Sequence, residues 1–234
     1  EKIVFSKVWT NSDEFAYVIF ETMNDRGLSL TQVEMLRSYL LANIDENQRD
    51  LAMNKFDDSV KKLIGIKLSS KSKAEIEFFK LYFRGHYAEN LSQEDLNSDF
   101  IRIGKEFHRW VRDKKDYLAL SSSQEYVEFI NKIAFFVNVY EKINTLMREK
   151  QTENFLYLIV NNDLRFTLQP APIPAAISYG DSPNVIDAKI KLVSKYLTKV
   201  LIWKIWGLSR IAQSVMDAPI YDLCKRISGK TVEE

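Results

Sequence analysis

The sequence predicts a mainly α-helical protein, an irregular multi-helix bundle with a short N-terminal β-strand remnant. Three observations predict it. Only 7 glycines and 5 prolines occur in 234 residues, too few for a turn-rich all-β fold. Apolar residues recur at threes and fours through long segments, the spacing of a buried helical stripe. Hydrophobic residues make up 46% and aromatics 12%, enough to fill one large core or two small ones.

The elements follow in order. Ile3 to Trp9 alternates like a strand. With Glu1 in place of an initiator Met, residues 1–10 are expected to end a truncated α/β unit, and residues 11–234 to form the helical domain. Asn11 caps a first helix to Met23, with Glu14 reaching back and Phe15, Val18, Ile19 and Met23 on one face. Thr31 and Glu34 form a capping box for the second helix, and Leu30 with Met35 has the spacing of a hydrophobic staple. A third helix spans Glu46 to Ile64, with Leu51, Phe56, Val60 and Leu63 inside. Lys67 to Lys73 is a Ser/Lys-rich loop.

A fourth helix carries Ile76, Phe79 and Phe83. Ser92 with Asp95 opens a fifth, holding Phe100, Ile103, Phe107 and Trp110. The longest runs from Ser123 toward Glu149, with Tyr126, Phe129, Ile133, Phe136, Tyr140, Ile143 and Met147 on its stripe. Thr152 to Leu168 is a further helix, and Pro174 suits the first turn of a short one. After the Gly180-Asp181-Ser182-Pro183 turn, Val185 to Leu208 is a long helix. Its segment Val200 to Trp206, Trp203 and Trp206 included, reads as core. Two short helices around Asp217-Ala218-Pro219 close the chain.

Composition narrows the function. The 33 basic and 32 acidic residues leave a net charge of +1, so no global field draws nucleic acid, and any such contact needs a local patch. Cys224 is alone, which excludes an internal disulfide and fits a cytoplasmic, reducing setting. No segment reads as a membrane span. His86 and His108 lack ligand-spaced company, and there is no Gly-rich phosphate loop or Gly-x-Ser-x-Gly elbow. No nucleophile or paired-carboxylate centre emerges from this chain alone.

The densest polar cluster lies between the first two helices: Asn24, Asp25, Arg26, Gly27 and Ser29. Gly27 supplies the left-handed residue that ends a helix. Arg26 has two readings. In one it pairs with Glu21 or Glu34 and the turn is only a cap. In the other its planar fork holds a phosphate, helped by the amide donors at the Thr31 helix start.

At this turn Phe20, Glu21, Asn24, Arg26, Gly27, Leu30 and Thr31 spell Phe-Glu-x-x-Asn-x-Arg-Gly-x-x-Leu-Thr. This resembles the hallmark of the GmrS-type domain of GmrSD-like modification-dependent restriction systems. The resemblance implies a ParB-like α/β unit with an Asp-Gly-Gln-Gln-Arg motif upstream, a helical region, and often a C-terminal HNH nuclease that cuts modified phage DNA. Neither the Asp-Gly-Gln-Gln-Arg nor the HNH signature occurs here. The chain is therefore expected to be the helical portion of such a bacterial phage-defence protein, inactive alone and without its own cofactor. A nucleoside triphosphate and a divalent metal would belong to the full-length protein. Asn24, Arg26, Gly27 and Thr31 would border the nucleotide pocket, with Arg26 on phosphate.

A second candidate interface is basic. Between Ala188 and Val215 there are six Lys and Arg residues and no acidic one. Lys191, Lys195 and Lys199 are four apart and share a line. They form either a solvated face over the core or a stripe that tracks DNA phosphates. Two alternatives to DNA engagement stand: a scaffold that binds nothing, and a protein-interaction module with an exposed apolar patch around Pro170 to Tyr179.

Overall fold

The computed structural model describes residues 30–68, 73–149 and 153–233, with the isolated residues Trp9 and Ile19. The expected strand, the first helix and the turn carrying Asn24, Arg26 and Gly27 lie outside the described residues, as does most of the Ser/Lys-rich loop.

The described residues form nine α-helices and no strand. They are α1 (Gln32–Ala42), α2 (Glu46–Ile64), α3 (Ala74–His86), α4 (Asp99–Asp113), α5 (Ser123–Glu149), α6 (Leu156–Asp163), α7 (Pro172–Ala175), α8 (Pro183–Trp206) and α9 (Gln213–Ile227), with a 3-10 turn at Glu153–Phe155. The chain is a mainly α multi-helix bundle. No described helix is long and apolar enough to cross a membrane.

Helix α3 is the hub, touching α1, α2, α4, α5, α7 and α9. Its inner face stacks Phe78, Phe79, Tyr82 and Phe83, whose rings meet Phe56, Phe107, Trp110, Phe129, Phe136 and Tyr140. Rings bury much apolar area with few rotatable bonds, so a ring-rich hub is both strongly driven and stiff. Gly85 faces α7 and α9, and a Cβ there would sit in ordinary van der Waals contact, 3.4 Å from the Ala171 carbonyl and 3.9 Å from the Cys224 Sγ.

Helix starts follow local chemistry. Thr31 caps α1 through the full capping box: Glu34 N donates to Thr31 Oγ1 (3.2 Å) and Thr31 N donates to Glu34 Oε2 (2.7 Å). Leu30 packs on the core, and Met35 at the other end of the expected staple is buried. Arg37 of α1 forks onto Asp57 of α2 with bonds of 2.6 and 2.9 Å. Pro183 occupies the first turn of α8, where a missing N–H costs nothing.

Several expectations change. Leu51 is 77% exposed, because the buried stripe of α2 runs Ala52, Phe56, Ser59 and Leu63, one residue further on. Ser92 does not open a helix; its Oγ accepts from Asp95 N (3.1 Å) in a preceding turn, and Ser98 caps α4 by accepting from Ile101 N (3.2 Å). The expected Thr152–Leu168 helix ends at Asp163, where Arg165 takes φ 59° and turns Phe166, Leu168 and Gln169 into the core. The two expected C-terminal helices are the single helix α9, which passes through Pro219. Pro219 and Val215 are both exposed, so the carbonyl that the proline leaves unbonded reaches water. Of the stretch Pro170 to Tyr179, expected as an exposed docking patch, residues 170–177 are buried and only its end, Tyr179, is exposed.

Candidate functional site

Of the residues expected at the inter-helical elbow, Thr31 is described. Its hydroxyl and backbone N–H are both engaged with Glu34, and Thr31 Oγ1 also donates to Glu34 Oε2 (2.9 Å). The hydrogen bonds from the Thr31 backbone and hydroxyl hold the Glu34 carboxyl below its ordinary range. A carboxylate thus already sits at the positive end of α1.

The next residue ties this elbow to the body. Glu106 interrupts α4 with φ −150° and ψ 58°, which frees a carbonyl and an N–H on either side. The Gln32 amide bridges the break: its Nε2 donates to the Lys105 carbonyl (2.7 Å), and Phe107 N donates to its Oε1 (3.3 Å). Sequence reading missed Gln32, since a polar residue at a first helical turn carries no mark of a distant partner.

One strongly perturbed group lies at the surface: hydrogen bonds from Ser121 and Ser122 hold the Glu125 carboxyl down at about 2. Several others are internal. Burial pushes the Asp99 carboxyl up, but Trp110 Nε1 (2.8 Å), Asn90 N (3.1 Å) and Glu89 N (2.9 Å) donate to it, and Lys114 lies 3.6 Å away. The net value lies below the ordinary carboxylate range. His86, its ring against Tyr82 and Phe136, is lowered by burial to about 4, so the imidazole is neutral at pH 7. Burial pushes the Cys224 thiol up to about 12, as expected of a small core residue. Each of these internal groups serves packing. No three His, Cys, Asp or Glu side chains converge among the described residues.

Helix α8 carries the other candidate interface. Ile190, Val193, Leu197 and Leu201 are buried against the body, chiefly α6 and α7. Lys191, Lys195 and Lys199 are all exposed on the opposite side. Among the described residues none of the three is paired with a carboxylate; Lys191 leans over the Phe155 ring at 5.2 Å. Lys189 does not belong to the stripe: it is buried, and its Nζ donates to Asp181 Oδ2 at 2.9 Å. Trp203 and Trp206, expected in the core, are 82% and 84% exposed. Among the described residues the cover over α8 ends near Leu201; Ile202 and Ile205 in its last turn, and Leu208 just past it, are also exposed.

Two clefts accompany these features. One of about 460 Å³ is lined by Lys67, Glu77, Tyr140, Asn144, Arg148 and Asn162, between α3, α5 and the end of α6. The other, about 330 Å³, is a groove between α8 and α9 bordered by Leu192, Tyr196, Arg226 and Lys230. Neither includes Thr31. No family model, curated protein or solved structure matches this chain.

Proposed function

We propose that the chain is the helical segment of a GmrSD-like restriction or phage-defence protein that couples nucleotide binding to engagement of modified DNA. The observation that carries DNA engagement is the α8 stripe, where Lys191, Lys195 and Lys199 stand exposed in one line without a carboxylate partner among the described residues. Such a row exchanges condensed counterions for phosphate contacts, which yields sequence-independent binding that falls with salt. Nucleotide coupling rests on the Asn24-Arg26-Gly27 motif alone. Arg26 would contact phosphate and Asn24 would hold the turn, while the Thr31–Glu34 box and the Gln32 bridge fix α1 behind them.

Two experiments test the two halves. Lys191→Glu with Lys195→Glu is expected to abolish low-salt retention of duplex DNA; unchanged retention removes the stripe. Arg26→Ala in the full-length protein is expected to weaken nucleotide binding more than it lowers the melting temperature. Equal binding with a lower melting temperature supports a scaffold instead.

A further inference from the structure

We infer that the outward face of α8 is a platform for single-stranded nucleic acid, with Lys191, Lys195 and Lys199 following phosphates and Trp203 and Trp206 stacking bases. The inference extends the DNA-engagement reading of the same helix and adds the strand state of the ligand.

The helix repeat places the parts. Lys191, Lys195, Lys199, Ile202 and Trp206 follow one another at spacings of four, four, three and four, so they fall on a single line. Leu192, Tyr196 and Trp203 run beside it at four and seven, and all three are exposed. From Lys191 to Trp206 the line extends about 22 Å at 1.5 Å per residue, the reach of a few nucleotides. The helix brings no acidic residue between Ala188 and Val215, so the charge it carries suits a polyanion. Two exposed indoles one turn apart offer faces to successive unpaired bases, whereas a duplex hides its base faces within the stack. Ile202, Ile205 and Leu208 keep the tip apolar, which shields stacked rings from water.

A lipid surface fits less well. An interfacial helix separates its lysines from its tryptophans across the axis. Here Trp206 lies in line with the lysines, so sinking the ring would carry three ammonium groups toward the acyl layer. Along the body the apolar face of α8, Ile190 to Leu201, is already spent on the core, which leaves only the tip to meet a lipid surface.

The test titrates the whole chain with a labelled oligothymidylate and with a blunt duplex of equal length, by anisotropy and tryptophan emission. The oligothymidylate is expected to quench emission and to bind with a log–log salt slope of about −2, from three lysines at about −0.7 each. Trp203→Ala with Trp206→Ala is expected to weaken oligothymidylate binding by about tenfold or more and to leave duplex retention unchanged. Trp203→Phe with Trp206→Phe should restore most of the loss. If the alanine pair leaves oligothymidylate binding unchanged while the lysine variant abolishes duplex retention, the platform is refuted and DNA engagement stands. Emission shifted by anionic phospholipid vesicles but not by oligonucleotide assigns the face to membranes. A dimer that the alanine pair converts to monomer, with no oligonucleotide effect, assigns it to self-association. Either outcome overturns the proposal.

Discussion

The side-chain amide of Gln32 substitutes for the helical turn that Phe107 lacks. Phe107 N donates to Gln32 Oε1 (3.3 Å), and Gln32 Nε2 donates to the Lys105 carbonyl (2.7 Å), across the break at Glu106. One amide thereby satisfies a donor and an acceptor that a continuous α4 would have paired internally. The bridge joins the start of α1, beside the candidate elbow, to a helix seventy-odd residues away.

Gln32→Ala is expected to lower stability by about 1 kcal/mol, since water can reach the exposed Lys105 carbonyl and the main loss is at the part-buried Phe107 N–H. Gln32→Glu should be no better, because a carboxylate can accept from Phe107 N but cannot donate to Lys105. Urea unfolding at pH 7 measures both; an unchanged midpoint for Gln32→Ala would show that water replaces the amide at no cost.

Thr31→Ala is expected to cost about 1 kcal/mol, the usual worth of a lost N-cap. Glu34→Gln should cost less, because an amide oxygen still accepts from Thr31 N. Equal losses in the two variants, measured by the same unfolding, would show that the charge on Glu34 at the end of α1 matters more than the cap hydrogen bonds.

Asp99→Asn is expected to destabilise by about 3 kcal/mol, because one carboxylate oxygen becomes an NH2 group facing N–H donors. The sign of the pH effect follows from the direction of the shift. A carboxyl held below its ordinary value adds stability above that value and loses it as pH falls through the folded-state value. Acid unfolding followed by far-UV circular dichroism should show a weaker pH dependence in Asp99→Asn below the ordinary carboxylate range; an unchanged acid transition would place the limiting group elsewhere.

His86 acts in a separate window. Its folded-state value is about 4 against an ordinary 6.5, so folding favours the neutral ring. Its contribution is complete above pH 6.5 and is lost as pH falls toward 4, with about 2 kcal/mol gone by pH 5. His86→Leu should flatten stability between pH 7 and pH 5. A slope that survives the substitution would place the titrating group elsewhere.

Leu208→Gly is expected to stabilise the protein by up to about 1 kcal/mol. Leu208 follows α8 with φ 53°, a left-handed position that glycine adopts without a Cβ clash. At 95% exposure its side chain gives up no packing. A lowered melting temperature would reveal a contact that holds the leucine in place.

Helices α2 and α5 run where their periodicity places them, Glu46–Ile64 and Ser123–Glu149, and α1 starts at the capping box read from Thr31 and Glu34. Those features were legible because their decisive hydrogen bonds and side-chain neighbours lie within one turn of chain. The line of Lys191, Lys195 and Lys199 was legible for the same reason. The elbow motif could be spelled from sequence, but of its residues only Leu30 and Thr31 are among those described, with Phe20, Glu21, Asn24, Arg26 and Gly27 outside them.

Burial was another matter. An apolar run states that a segment prefers cover, not whether another segment arrives to provide it. Most of the stretch Pro170 to Tyr179 and the tip of α8 exchanged their expected places: residues 170–177 are buried beneath α3 and α9, leaving Tyr179 exposed, while Trp203 and Trp206 lie past the last turn that α6 and α7 cover. The Gln32 bridge and the Asp99 node likewise depend on groups brought together by packing. Local spacing determined where helices begin, how long they run and which residues share a face. Tertiary structure alone decided which faces are covered, because the free energy of burial belongs to pairs of surfaces and not to either one.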